Sequence, residues 1–179
     1  WGRGIEPAAT PGDGRVGQVT ATILALLGLP RAIDIEAPAL AGVAESREQR
    51  VGDVWVTPIS VNHTVPTAGF IVRDDHTGLV YSGDTGPTSA IWKAACELKG
   101  LAAVILECSF PNRLEKLAEV AKHMTPQRIQ RELDKLPPDV PVWIFHIKAP
   151  FYEETTEELS RIEGAGRLVL LEQDKTYTL

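Results

Sequence analysis

The chain has little of several things, and each shortage excludes a class of protein. Its 179 residues include only two cysteines, Cys96 and Cys108. That is too few for a disulfide framework, and a reducing, cytoplasmic setting is the expectation. No apolar run approaches the roughly 18 residues of a membrane span, and no charged start precedes an apolar stretch with a cleavage site. Neither a membrane nor an export signal is therefore expected. Basic residues are outnumbered, 18 Lys and Arg against 24 Asp and Glu, for a net charge of -6. An acidic balance argues against a duplex nucleic acid partner, which needs a basic surface. Only four histidines occur, so each can be weighed by name. The remaining composition, 44% hydrophobic and 23% charged, is that of an ordinary globular domain with a real core.

Apolar periodicity is absent from the first 20 residues, where Gly2, Gly4, Gly12, Gly14 and Gly17 mix with Pro7 and Pro11. Residues 1–33 read as an irregular lead, with one short helix over Val16–Leu29 ending before Pro30. A domain over 34–179 follows. The Asp53–Val61 segment predicts a strand, with Pro58 marking an edge or a bulge. Gly69–Arg73 and Leu79–Ser82 predict two strands joined by the turn Asp-Asp-His-Thr-Gly. A helix is expected over Ser89–Leu98. The continuous apolar run Leu101–Leu106 predicts a strand buried on both faces. Helices are predicted over Leu114–Lys122 and Pro126–Leu136, the second capped by Thr125 with Pro126 in its first position. Val140–Ile147 is another expected buried strand, Glu153–Ile162 a helix closed by Gly164, and Leu168–Leu171 and Thr176–Leu179 two last strands. Strands alternating with helices indicate a layered α/β fold.

Candidate functional residues fall at the ends of these elements. His63 follows the strand ending at Val61. Asp84 follows the strand ending at Ser82, within Ser-Gly-Asp-Thr-Gly. Glu107 ends a buried strand, His123 sits where a helix stops, and His146 lies near the end of Val-Pro-Val-Trp-Ile-Phe-His-Ile. Each alone has an ordinary reading: a histidine beside a strand is usually packed and hydrogen-bonded, Ser-Gly-Asp-Thr-Gly is a good turn sequence, and a buried Glu107 needs only a structural partner. His76 lies in a hairpin turn and is expected to face solvent. Taken together, imidazole and carboxylate donors suit zinc, and a carboxylate can bridge two cations that activate water and clamp a phosphoryl group.

The segments VNHTVPTAGF, VYSGDTGPT, ILECSFPNR, AKHMTP, FHIKAPFYEE and LLEQDKTYTL resemble, in order, the class II 3′,5′-cyclic-nucleotide phosphodiesterases of the metallo-β-lactamase fold. The resemblance covers about residues 52–179. Ser-Gly-Asp-Thr is shared with the tRNA 3′-processing nucleases; Glu-Cys-Ser-Phe-Pro-Asn and His-Met-Thr-Pro point to the phosphodiesterase branch. It implies the C-terminal half of an αββα sandwich, with the N-terminal half largely missing. It implies His63 as ligand to one zinc, His146 to a second, and Asp84 as the bridge between them. It also implies His123 as the acid for the leaving oxygen, oriented by Glu107, and a cyclic nucleotide (cAMP or cGMP) as substrate.

The family's His-x-His-x-Asp-His motif has no copy here, since no histidine precedes His63. Each zinc would keep two protein donors, one of them shared, where sites normally have three or four. Weak metal binding and slow or no turnover are expected, with two further readings: a catalytically impaired binding or structural protein, and a related RNA nuclease. An apolar face left uncovered by the missing sheet predicts a homo-oligomer.

Overall fold

A computed structural model describes residues 47–178. The lead, its expected helix and the boundary near residue 33 lie outside the described residues, as does Leu179. The described residues form a mixed α/β structure, one seven-stranded sheet with four α-helices. The strands are β1 (Gln49–Val51), β2 (Val54–Val61), β3 (Thr67–Arg73), β4 (Gly78–Tyr81), β5 (Leu101–Glu107), β6 (Val142–Phe145) and β7 (Leu168–Leu170). The helices are α1 (Ala90–Glu97), α2 (Glu115–Ala121), α3 (Pro126–Leu133) and α4 (Tyr152–Leu159). The sheet follows chain order. Strands β1 to β4 form an antiparallel meander, and β4 to β7 run parallel.

The two-residue period of a strand decides which side chains meet the helices. Register places Ile71 beside Val80, Val80 beside Val104, and Val104 beside Val142. With Ile59, Val61, Leu106 and Ile144 they form one apolar face, packed against Ile91, Trp92 and Ala95 of α1, Ile129 and Leu133 of α3, and Leu159 of α4. Burying each large aliphatic side chain contributes about 1.5–3 kcal/mol, so this layer carries most of the stability. The opposite face carries Tyr81, Ile105 and Trp143 as register neighbours, and all three are only half-buried. The run Leu101–Leu106 is thus fully buried on its helix side, at Val104 and Leu106, while Ile105 keeps part of its surface. Full burial on both faces, expected from continuous hydrophobicity, is corrected accordingly.

Pro58 lies where β1, which pairs only with Val54–Val56, no longer covers β2, the edge position that a missing N–H tolerates. Thr125 caps α3, its Oγ1 accepting from the Arg128 N–H at 3.4 Å, with Pro126 first in the helix. This helix stops at Leu133 rather than Leu136, in a turn before Pro137–Pro138. Helix α2 ends at Ala121 because Lys122 turns left-handed, φ 52°. Residues 176–178 form no strand. The Tyr177 hydroxyl instead accepts from the Glu172 N–H and donates to the Leu170 carbonyl, and its ring lies 5.4 Å from Trp143. Cys96 is exposed and Cys108 buried, both as free thiols. Among the described residues no helix is long and apolar enough to cross a membrane.

Candidate metal centre

Strand direction brings the candidate residues to one edge. Strands β2 and β4 both run antiparallel to β3, and β4, β5 and β6 are parallel. The residues leaving their carboxyl ends (His63, Asp84, Glu107 and His146) therefore emerge on the same side, where side chains from separate loops can converge. Backbone lacing sets the loops. The Asn62 N–H donates to Thr85 Oγ1 at 3.2 Å, and the Gly86 N–H donates to the Asn62 carbonyl at 2.8 Å. Gly83 adopts φ +62°, and an added Cβ would stand 3.1 Å from the Ala68 carbonyl oxygen, so glycine suits the turn that delivers Asp84.

The five candidate side chains come together. His63, Asp84 and His123 offer donor atoms all within 4.8 Å of one another, and so do Glu107, His123 and His146. Asp84 Oδ1 lies 2.9 Å from His146 Nδ1. The rings of His63 and His123 are 5.0 Å apart, and those of His123 and His146 5.6 Å. His76 is exposed in the β3–β4 turn, as expected, and takes no part. The arrangement includes His123 in both donor groups, whereas sequence reasoning held it apart as a proton donor.

Hydrogen bonds decide which nitrogen each histidine turns to the centre. His63 Nδ1 donates to the Lys122 carbonyl at 3.2 Å, and Lys122 Nζ donates back to the His63 carbonyl at 3.1 Å. His123 Nδ1 lies 2.5 Å from Glu107 Oε1. Both rings thereby keep Nε2 for the centre, the usual arrangement when a histidine is oriented through its other nitrogen. Glu107 is fully buried, a costly placement for a carboxylate unless its oxygens are satisfied. They accept from the Thr85 N–H (3.1 Å), the Met124 N–H (3.3 Å) and Ser109 Oγ (3.0 Å) as well as His123. The Glu107 bond raises the His123 pKa above the ordinary imidazole value, against an opposing contribution from burial.

His146 differs. It sits at φ +67°, a left-handed conformation that costs a non-glycine residue about 1–2 kcal/mol. Lys148 Nζ lies 2.8 Å from its Nε2. Its Nδ1 is buried without a hydrogen-bond partner; the Asp84 contact is short but not aligned as a hydrogen bond. That contact, ahead of the opposing effect of burial, holds the Asp84 carboxyl below the usual carboxylate range. An orphaned imidazole nitrogen beside a carboxylate, with a second imidazole nearby, fits a borderline divalent cation such as zinc. The described donors form two groups of three that share His123, fewer than two separate zinc sites of three or four donors would take.

Sequence reasoning singled out neither Lys148 nor Ser109, nor the Lys122 clamp on His63. The available signal was adjacency, since each lies within two residues of a candidate.

The sequence model of the Beta-lactamase superfamily domain matches residues 13–147. No curated protein sequence matches the chain significantly. Similar solved structures include the metallo-beta-lactamase fold protein YhfI from Bacillus subtilis, at 15% identity and TM-score 0.58, covering 70% of this chain and 50% of that one. The short form of human tRNase Z is 15% identical with TM-score 0.54, covering 72% and 46%. Zn(2+)-bound PqqB from Methylobacterium extorquens is 14% identical with TM-score 0.52, covering 75% and 54%. The chain thus spans about half the length of the solved structures it matches.

Proposed function

The chain belongs to the beta-lactamase superfamily, and on that premise we propose that it acts as a zinc-dependent phosphodiesterase on 3′,5′-cyclic nucleotides, opening them to the 5′-nucleotide. Hydrolases are common in this superfamily, tRNase Z among them. The observation that carries the finer reading is the Glu107–His123 pair, a buried carboxylate holding an imidazole proton donor against a cluster of metal-type ligands. In this reading His63, Asp84 and His146 hold the metal. Zinc, when bound, supplies an activated water and positive charge beside the phosphoryl oxygens. Glu107 fixes the His123 ring through Nδ1 and raises its pKa, which favours the doubly protonated imidazole whose Nε2 proton would pass to the departing 3′ oxygen. Lys148 places a cation beside the same edge and offsets the anionic substrate.

The proposal includes a cytoplasmic setting and self-association through the half-buried outer sheet face. It also includes weak zinc binding and slow turnover, because the donor set is short. Elemental analysis paired with a cAMP hydrolysis assay tests it. Zinc-dependent formation of 5′-AMP, abolished by His123→Gln, supports the reading. Zinc binding with no hydrolysis at any zinc concentration favours instead a metal-binding protein that has lost catalysis, the reading to which the small donor count leads.

A further inference from the structure

Phe110 and Phe151 stand outside the apolar core. Neither ring belongs to the cluster between sheet and helices, and both remain half-exposed. Phe110 flanks the candidate metal centre at His123, and Phe151 stands beside Phe110. The Phe110 ring lies 5.8 Å from that of His123, edge to face, and 6.2 Å from that of Phe151 at an angle of 54°. The Arg113 guanidinium carbon sits 5.4 Å from the Phe151 centroid. Glu154 of α4 holds it there, accepting from Arg113 Nε at 2.9 and 3.1 Å. The supporting backbone is pinned as well. The Asn112 N–H donates to Glu158 at 2.7 Å, and the Phe151 N–H donates to the Lys148 carbonyl at 2.8 Å. Two rings and a guanidinium thus form an angled wall that starts at His123, with Lys148 close by at His146.

We propose that this wall receives the heterocyclic base of a mononucleotide whose phosphate lies at the His63–Asp84–His123–His146 cluster. Aromatic faces and guanidinium planes stack on any base without reading its edge, a contact tolerant of base identity. Nothing in the proposed hydrolysis uses these three side chains, and apolar rings held half-exposed beside a polar cluster suit a flat ligand that is polar at one end. A polynucleotide fits less well, because a chain of net charge -6 has few cations to meet successive phosphates. The inference rests on the phosphodiesterase reading for the size of its ligand, but base binding can be measured without hydrolysis.

Calorimetric titration of the full chain, at fixed zinc and salt, with AMP and with ribose 5-phosphate tests it. AMP is expected to bind about tenfold more tightly or better, the usual worth of one base stacked on an aromatic ring. Phe151→Leu, at a half-exposed position, is expected to bring AMP down to the level of ribose 5-phosphate and to leave ribose 5-phosphate unchanged. Phe151→Trp is expected to keep the discrimination, and Phe110→Leu to reduce it. Equal affinity for the two ligands, no binding of either, or discrimination that survives both leucine variants overturns the wall. Hydrolysis of cAMP with equal binding removes the wall and spares the phosphodiesterase reading. Base-dependent binding without hydrolysis does the reverse.

Discussion

Two buried carboxylates in this protein solve the same desolvation problem with different partners. Glu132, in α3 and almost fully buried, accepts from Trp92 Nε1 at 2.5 Å, the Thr88 N–H at 3.4 Å and Lys135 Nζ at 2.6 Å. Glu107, fully buried at the end of β5, accepts from two backbone N–H groups, Ser109 and His123. Around Glu132 the donors are an indole, a backbone N–H and a lysine ammonium, none of them near the metal-type ligands, so the knot only fastens α1 to α3. Around Glu107 one donor is an imidazole whose other nitrogen points into a cluster of metal-type ligands. Burial and hydrogen bonding are alike in the two places, and the identity of a single donor separates a structural carboxylate from one coupled to chemistry.

Breaking the structural knot should give the largest effect. Glu132→Leu strips an acceptor from a buried indole N–H and a lysine, and should cost about 3 kcal/mol in urea unfolding. Zinc affinity, measured by competition with a chelating dye, should not change. If zinc affinity falls with stability, the two regions are not independent.

Glu107→Gln should cost somewhat less, about 1–3 kcal/mol, since the amide keeps part of the hydrogen bonding. Its distinguishing effect is on titration. The His123 pKa is raised in the folded protein. The stability it contributes is therefore fully present below the unfolded imidazole value of about 6.5 and is lost as pH rises through the folded value. In the Gln variant the His123 pKa, followed by NMR of the imidazole, should fall, and the decline in stability over that window should flatten. An unmoved His123 titration would show that Glu107 is as purely structural as Glu132.

At His146 the centre and the backbone can be separated. His146→Gly should abolish the rise in melting temperature that zinc produces, yet leave the zinc-free protein no less stable, because glycine relieves the left-handed backbone. His146→Val loses the ligand as well and should be about 1 kcal/mol less stable than the glycine variant. Equal stability of the two would mean that φ +67° stores no strain. The smallest expected effect is self-association through Tyr81, Ile105 and Trp143 on the outer sheet face. Light scattering over a dilution series should show dimers dissociating, and Trp143→Lys should shift the midpoint to higher concentration. A monomer at every concentration would show that this face is already covered.

The sequence by itself determined most of the element order, because hydrophobic periodicity is local and strand alternation has a fixed period; which face of each strand meets the helices was decided by the fold. It also placed His63, Asp84, Glu107, His123 and His146 at element ends, and the Thr125–Pro126 cap was readable from two adjacent residues. The Tyr177 tail was not, because a ring contact with Trp143 and hydroxyl bonds to Glu172 and Leu170 displaced a strand that local propensity favours. Only the tertiary structure decided which nitrogen each histidine presents. His63 is oriented by a carbonyl 59 residues away and His123 by a carboxylate 16 residues away. His146 is turned the other way by Lys148, with its Nδ1 left toward Asp84. A local pattern carries residue type and position along an element, whereas a ring's orientation depends on donors and acceptors that only the folded sheet brings into reach.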